Sequence, residues 1–292
     1  MKKQTKMNKN FENDLFKCAQ RLSDVYYFCS FNKWINWENP VNLNEKINWL
    51  AFNTNTEIWS TLADKYNVRE ILKSKNLGFL LNDIYEKWEN VEDIDFTNLP
   101  TSFAIKTNCS SSDTIIIENK KNVNLHEIKT YFTKVLNKRF GIETAEPHYL
   151  RIKPCIFAEK LLGNNIVDYK VWCFNGKPYC IQTISDRHGK KAMNVFDTQW
   201  NEHTDWLNVS FQNKDTIKKP KSLSDMLKYA TILSEGFPQV RVDFYIEDEK
   251  IYFGEMTFTA SAGRLLSFNE QTLLKMGEEI DLKNLDNNKE NN

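Results

Sequence analysis

Apolar positions recur at near-helical spacing in the first third of the chain and alternate with polar ones later. Leu15, Phe16, Leu22, Val25 and Tyr26 predict a helix over residues 11–28, and Ile47 with Leu50 predicts a second over 43–52. A third helical pattern covers 56–73, with a break near Asp64. After Pro100 the texture changes. Residues 102–107 (SFAIKT) and 114–118 (TIIIE) read as strands around a turn of small residues, and 125–136 returns to helical spacing. Residues 154–160, 168–175 and 177–184 read as strands. Asn175-Gly176 joins the last two, a dipeptide that accepts the positive φ angles of a tight hairpin. Residues 223–234 predict a helix, closed by Gly236 and Pro238. Strands at 239–246 and 251–258 and a helix at 271–280 complete the pattern. Helices first, then antiparallel strands with helices between them, predict an α+β fold and not an alternating βαβ one.

Composition narrows the class. At about 100–200 residues per domain, 292 residues predict two compact units or one large unit with lobes. Lys plus Arg equals Asp plus Glu at 39 each, which argues against a nucleic-acid partner that needs a strongly basic surface. The 19 Phe, 8 Trp and 11 Tyr are too many for a disordered chain. No apolar run approaches the ~18 residues that span a bilayer, so no stable membrane insertion is expected. No signal-type apolar stretch follows the basic start, and a cytoplasmic protein is expected. Cys18, Cys29, Cys109, Cys155, Cys173 and Cys180 form no C-x-x-C pair and read as reduced thiols.

Candidate chemistry concentrates in residues 240–263, VRVDFYIEDEKIYFGEMTFTASAG. Alternation puts Arg241 and Asp243 on one strand face. A three-residue turn centred on Asp248 would set Asp243 opposite Phe253 and Arg241 opposite Glu255, so that all three polar groups converge. A two- or four-residue turn would reverse this parity. Two carboxylates could hold Mg²⁺ through hard oxygens while an arginine offsets charge on a transferring group. The plain alternative is a solvated face with a cross-strand ion pair, worth roughly a few tenths of a kcal/mol.

Lys106 leads into Asn-Cys-Ser-Ser-Ser-Asp, where an ammonium and backbone N–H groups could surround phosphate. Alternatively Lys106 points out from a half-buried strand. The turn has no glycine, and serines do not readily take positive φ. Residues 158–162 (AEKLL) end a strand whose free backbone groups could bond an adenine edge, and Asp168 could take ribose hydroxyls. The alternative is an ordinary strand-to-hairpin transition. Lys65 and Arg69, four apart, would share one face of a helix, which is otherwise a solvated basic face. Residues 186–191 (DRHGKK) form a basic cluster expected on a loop, suited to an anionic substrate or simply to the surface.

Taken together these stretches resemble the ATP-grasp superfamily, and most of all its TupA-like (teichuronopeptide-biosynthesis) branch, found among bacterial surface-polysaccharide genes. The similarity runs from about Asn44 to Gly277. Its landmarks stand in family order: LNEKINWL, LADKYNVRE, DFTNLPTSFAIKTN, FAEKLLGN, DYKVWCFNGKPYCIQTISDR, LSEGFPQVRVDFY and KIYFGEMTFTASAG. The resemblance implies an ATP-grasp fold in which two lobes clasp the nucleotide. Its parts would be an N-terminal helical region (1–60), a first lobe with Lys106 and the phosphate loop (61–157), a second lobe with the metal site (158–282) and a disordered tail (283–292).

The resemblance also implies residue roles. Lys65 and Lys106 would contact phosphate. Glu159, Lys160 and Leu162 would line the adenine pocket, chiefly through backbone atoms, and Asp168 would approach the ribose. Arg241 would stabilise transferred charge, and Lys170 and Arg187 would face phosphate or substrate. Asp243 and Glu255 would hold magnesium, with Thr257 as a further oxygen ligand where many members have Asn. Two elements depart from the family. Its glycine-containing turn (N-H-G-S-G) reads Asn108-Cys109-Ser110-Ser111-Ser112, and its T-F-T-P element reads Thr257-Phe258-Thr259-Ala260.

The implied activity is an ATP- and Mg²⁺-dependent carboxylate–amine ligase working through an acyl phosphate. Its acid would be a uronic acid of a surface glycan or the nucleotide-activated precursor, and its amine an amino acid or small amino alcohol. Arg264 and residues 187–191 would grip the acidic glycan. Two other classes remain open. One is a glycosyltransferase using Asp93-Ile94-Asp95 as a metal motif. The other is a non-catalytic nucleotide-binding protein, suggested by the glycine-free turn.

Overall fold

The computed structural model describes residues 9–163, 166–187 and 190–286. The chain begins with four helices, α1 (Lys9–Phe31), α2 (Leu43–Asn53), α3 (Glu57–Ala63) and α4 (Val68–Ser74). Strands β1 (Ile84–Trp88), β2 (Phe103–Thr107) and β3 (Ile115–Ile117) follow, then α5 (Leu125–Asn137), α6 (Phe140–Glu143) and β4 (Ile156–Glu159). Next come β5 (Asp168–Phe174), β6 (Lys177–Arg187), β7 (Lys190–Asp197), α7 (Leu223–Ser234), β8 (Gln239–Glu247), β9 (Lys250–Thr257), α8 (Glu270–Glu278) and α9 (Lys283–Asp286). The strands form two antiparallel sheets, ordered β1-β4-β2-β3 and β7-β6-β5-β8-β9. The α+β expectation is met.

Local chemistry explains the element ends. A reciprocal capping box opens α2: Asn42 accepts from the Glu45 N–H at 3.0 Å, and the Glu45 carboxylate accepts from the Asn42 N–H. The Lys46 ammonium donates to the carbonyls of Gly277 (2.8 Å) and Ile280 (2.7 Å), tying α2 to the end of α8. Asp64 breaks the helical run as expected. Its carboxylate accepts from the N–H groups of Tyr66 and Asn67, both at 2.9 Å. Lys65 therefore lies in the gap between α3 and α4, and the expectation that it shares a helix with Arg69 is corrected.

Each sheet buries one face and turns the other to the cleft. In the first sheet Phe103, Ile105, Ile156 and Ala158 pack with Phe132 of α5. In the second, Val171, Val240, Val242 and Met256 pack with Met226, Ala230 and Leu233 of α7. The boundary read at 157/158 is also corrected: all of β4 pairs within the first sheet, which the chain leaves after Glu159. The expected tail begins as α9, and residues 287–292 lie outside those described. Among the described residues no helix is long and apolar enough to cross a membrane.

The β8–β9 hairpin departs from its expected register. Asp248 (φ 48°) and Glu249 (φ 64°) form a two-residue turn, with Glu247 opposite Lys250. That parity alone would send Glu255 to the far face. An extra residue at Gly254 restores it, because the register slips between Phe244↔Phe253 and Asp243↔Glu255. Arg241 consequently faces Thr257, not Glu255. A Cβ at position 254 would lie 3.0 Å from the Asp243 carbonyl oxygen and 3.0 Å from the Tyr245 ring, so a side chain there would crowd the bulge.

Candidate active site

The register places Asp168, Lys170, Arg241 and Asp243 on the cleft face of the second sheet, with Lys170 opposite Asp243 and Trp172 opposite Arg241. The Arg241 guanidinium donates Nε to Asp243 Oδ1 and Nη2 to Asp243 Oδ2, both at 2.7 Å, in a bidentate fork. Nη2 also reaches Thr257 Oγ1 at 3.0 Å and Glu255 Oε1 at 3.3 Å. The Thr257 hydroxyl donates to Glu255 Oε1 at 3.0 Å. Lys170 bridges two acids, with Nζ 2.5 Å from Asp243 Oδ2 and 2.6 Å from Asp168 Oδ2. Asp243 is 1% exposed, so both its oxygens are committed inside the protein.

The opposite side supplies Lys65 and Lys106. The Lys65 N–H donates to the Asn108 carbonyl at 3.1 Å. Its ammonium bonds the Ser110 carbonyl at 2.7 Å and lies 3.3 Å from Glu255 Oε2. Lys106 and Glu159 share one face of the first sheet and pair at 2.6 Å, with the ammonium 5.4 Å from the Phe157 ring centre. Lys106 thus faces inward, against the plain alternative. The turn after it manages without glycine because Ser112 takes φ 61°. Left-handed geometry costs a non-glycine residue roughly 1–2 kcal/mol. The Asp113 carboxylate offsets this by accepting from the Thr107 N–H at 2.9 Å and from the Thr107 hydroxyl, while the Thr107 and Ser110 hydroxyls meet at 2.9 Å.

Electrostatics follow from this packing. Burial opposes ionisation of Glu255, but Lys65, Arg241 and Lys170 outweigh it and hold the carboxyl well below its usual range. Burial raises Asp168, helped by Asp243 and opposed by Lys170. One of its oxygens, Oδ1, is buried with no hydrogen-bond partner among the described residues.

Two adjoining cavities open on this cluster. The first, about 360 Å³, is lined by Lys65, Lys106, Glu159, Leu162, Asp168, Lys170 and Glu255. Arg69 and Ser111 to Thr114 join them; the basic spacing pointed to Arg69, and Ser111 to Asp113 belong to the small-residue turn after Lys106. Lys160 is a correction. Its N–H donates to the Asp83 carbonyl (2.8 Å) and its carbonyl accepts from the Asn82 amide (2.8 Å), and it is absent from the lining. The Arg187 side chain lies outside the described residues. The backbone of Asp186 and Arg187 pairs with Lys191 and Lys190 in strands, not in a loop.

The second cavity, about 530 Å³, shares Ser111 and Glu255 with the first and includes Arg241, Thr257, Glu146 and Arg264. Burial pushes the Glu146 carboxyl up to about 7, against hydrogen bonds from Thr259 and Thr144. Sequence reasoning missed Glu146, since T-A-E-P carries no periodic or motif signal. Asp93 and Asp95 bond Asn90 and Thr97 in an exposed turn and line neither cavity, so they do not form a metal motif at this site.

Oxygen donors such as those of Asp243, Glu255 and Thr257 suit a hard cation such as magnesium. Glu255 opens to both cavities and Thr257 to the second, whereas Asp243 lines neither and has both oxygens taken by Arg241 and Lys170. Among the described residues no cluster of three or more His, Cys, Asp or Glu side chains could hold a metal. A fit therefore rests on Glu255, the Thr257 hydroxyl and ligand oxygens, with Asp243 joining only on release from Arg241 and Lys170.

A cleft between two antiparallel sheets, lined by paired lysines and carboxylates over a buried ionic network, defines an α+β protein with a strongly polar ligand site. The TupA-like ATP-grasp family matches residues 45–281, nearly the extent read from the motifs. The chain belongs to that family, and with it to the ATP-grasp superfamily. Solved structures similar to it include D-alanine–D-alanine ligase from Bacillus anthracis complexed with ATP, at 17% identity and TM-score 0.46, covering 82% of this chain and 70% of that one. L-amino acid ligase from Bacillus licheniformis shows 12% identity and TM-score 0.49, covering 86% and 56%. N5-carboxyaminoimidazole synthetase from Staphylococcus aureus complexed with ADP shows 18% identity and TM-score 0.42, covering 70% and 46%. Comparison with curated proteins finds no match.

Proposed function

We propose that the protein joins a carboxylate to an amine at the expense of ATP, the acid being a uronic acid of a bacterial surface polysaccharide or its nucleotide-activated precursor. One observation carries the reaction class: Glu255, ringed by Lys65, Lys170 and Arg241, stands where the two cavities meet. The polysaccharide assignment rests on the family resemblance. In this reading ATP fills the first cavity, with Leu162 and the Glu159–Lys160 backbone on the adenine side and Asp168 toward the ribose. Lys65, Lys106 and Lys170 neutralise the phosphates. Magnesium would be held by Glu255 and Thr257, with Asp243 once Arg241 and Lys170 release it, and would supply further positive charge to the phosphates.

The substrate carboxylate oxygen attacks the γ-phosphorus and ADP departs. Arg241 directs Nη2 at the shared boundary, where it meets the developing charge. The amine then attacks the acyl carbon, phosphate leaves, and the nitrogen loses its proton. The two sheets exclude water that would hydrolyse the acyl phosphate. ATP supply places the reaction in the cytoplasm.

The test is a screen for ADP release that pairs uronic-acid nucleotides with amines. Release should require both partners and disappear in an Asp243→Ala/Glu255→Ala double variant. Full activity in that variant would sink the assignment. Protection by a UDP- or GDP-sugar but not by Mg-ATP would favour glycosyl transfer.

A further inference from the structure

The second cavity holds two opposite charges that do not meet. Glu146 and Arg264 both line it, yet no ion pair joins them among the described residues. Glu146 takes its hydrogen bonds from neutral hydroxyls, Thr259 at 2.5 Å and Thr144. Arg264 lies over the Tyr26 ring at 4.8 Å, and its Nη1 is buried without a partner among the described residues. Arg264 as a whole is half-buried, but a buried polar atom without a partner is costly, and a ligand bearing both complementary charges would satisfy Glu146 and the Arg264 Nη1 at once.

The segment presenting Arg264 is built for placement. Ser261 (φ 51°), Ala262 (φ 51°) and Gly263 (φ 65°) form a left-handed turn, which two non-glycine residues resist by roughly 1–2 kcal/mol each. The N-terminal helices hold it. Asn48 of α2 donates to the Gly263 carbonyl at 3.1 Å and accepts from Ser23 of α1 at 2.5 Å, and Asn44 accepts from the Leu265 N–H at 2.9 Å. Tyr26 also belongs to α1. The LNEKINWL motif thereby acquires a purpose through Asn44 and Asn48, which act as positioning residues for Arg264.

We propose that the second cavity is the subsite for the amine substrate and selects a zwitterion, its ammonium on Glu146 and its carboxylate on Arg264. This assigns an α-amino acid and not an amino alcohol, and places Arg264 on the amine substrate instead of the acidic glycan. It rests on the ligase reading above, but the two fail separately.

Saturation-transfer NMR on the full chain with Mg·AMPPNP tests it, with L-alanine, L-serine and L-glutamate each paired with its amino alcohol and its N-acetyl derivative. At least one amino acid should bind in preference to both analogues. Arg264→Met should weaken that amino acid about 10- to 100-fold, the range of a charged hydrogen bond, and abolish its advantage over the alcohol. Glu146→Gln should abolish the advantage over the N-acetyl form. Arg264→Lys should restore part of the affinity, and nucleotide affinity read by tryptophan fluorescence should hold in each variant. Equal binding of acid and alcohol, no binding by any amino acid, or unchanged binding in Arg264→Met would overturn the subsite. Selective binding without ADP release for any acid would instead overturn the ligase reading and leave the subsite standing.

Discussion

Arg241 and Asp243 show how two residues spaced by a strand repeat become one unit. Both are buried, and their fork is shared with Lys170. Asp243→Asn would leave two buried cations short of a partner, and such losses cost about 3–5 kcal/mol. Urea unfolding at pH 7 should show a drop of that order. His148 makes a second test. It is wholly buried beside Trp59 and Tyr149, neither ring nitrogen has a hydrogen-bond partner among the described residues, and burial pushes it down to about 3. A base depressed in the folded state contributes stability above its unfolded value near 6.5, and that stability is lost as pH falls toward 3. His148→Phe should therefore flatten acid unfolding over this window, by at most roughly 4 kcal/mol relative to wild type. Parallel pH profiles of the two proteins would contradict the assignment.

At the scale of elements, much was legible. Residues 223–234 form the expected helix to the residue, because an apolar stripe, Gly236 and Pro238 act within a few positions of each other. Asn175-Gly176 turns as expected, with φ 49° and 75°. Strands β1 and β7 were missed. Both are sheet edges, and β1 carries a bulge and two exposed residues in five, so it lacks a clean alternation. The β8–β9 register was misread because a bulge leaves little mark in sequence beyond a glycine. Gly263 offers the sharper element-level prediction. A Cβ there would sit 2.1 Å from Asn48 Nδ2 at a left-handed φ, so Gly263→Ala should lower stability by about 1–3 kcal/mol in a thermal melt.

At the scale of the molecule, the cleft is assembled from pieces far apart in the chain: Lys65 between two helices, Lys106 and Glu159 on one sheet, Arg241 and Glu255 on the other. A ligand touching all of them should stabilise the whole. Mg-ATP at a hundred times its dissociation constant should add about 2.7 kcal/mol to unfolding. Lys106→Met should remove most of that gain, while a cavity that excludes nucleotide would leave both melts unmoved by ATP.

The chain by itself determined its helices, its tight turns, its α+β class and the identity of most cleft residues, since these depend on spacing and side-chain type among near neighbours. Tertiary structure alone decided that Gly254 restores the facing of Glu255, that Lys160 spends its backbone on Asn82 and Asp83, and that Glu146 and Arg264 share a cavity. Those outcomes turn on strand register and on contacts between residues far apart in the chain, where packing and hydrogen-bond satisfaction act and local pattern has no reach.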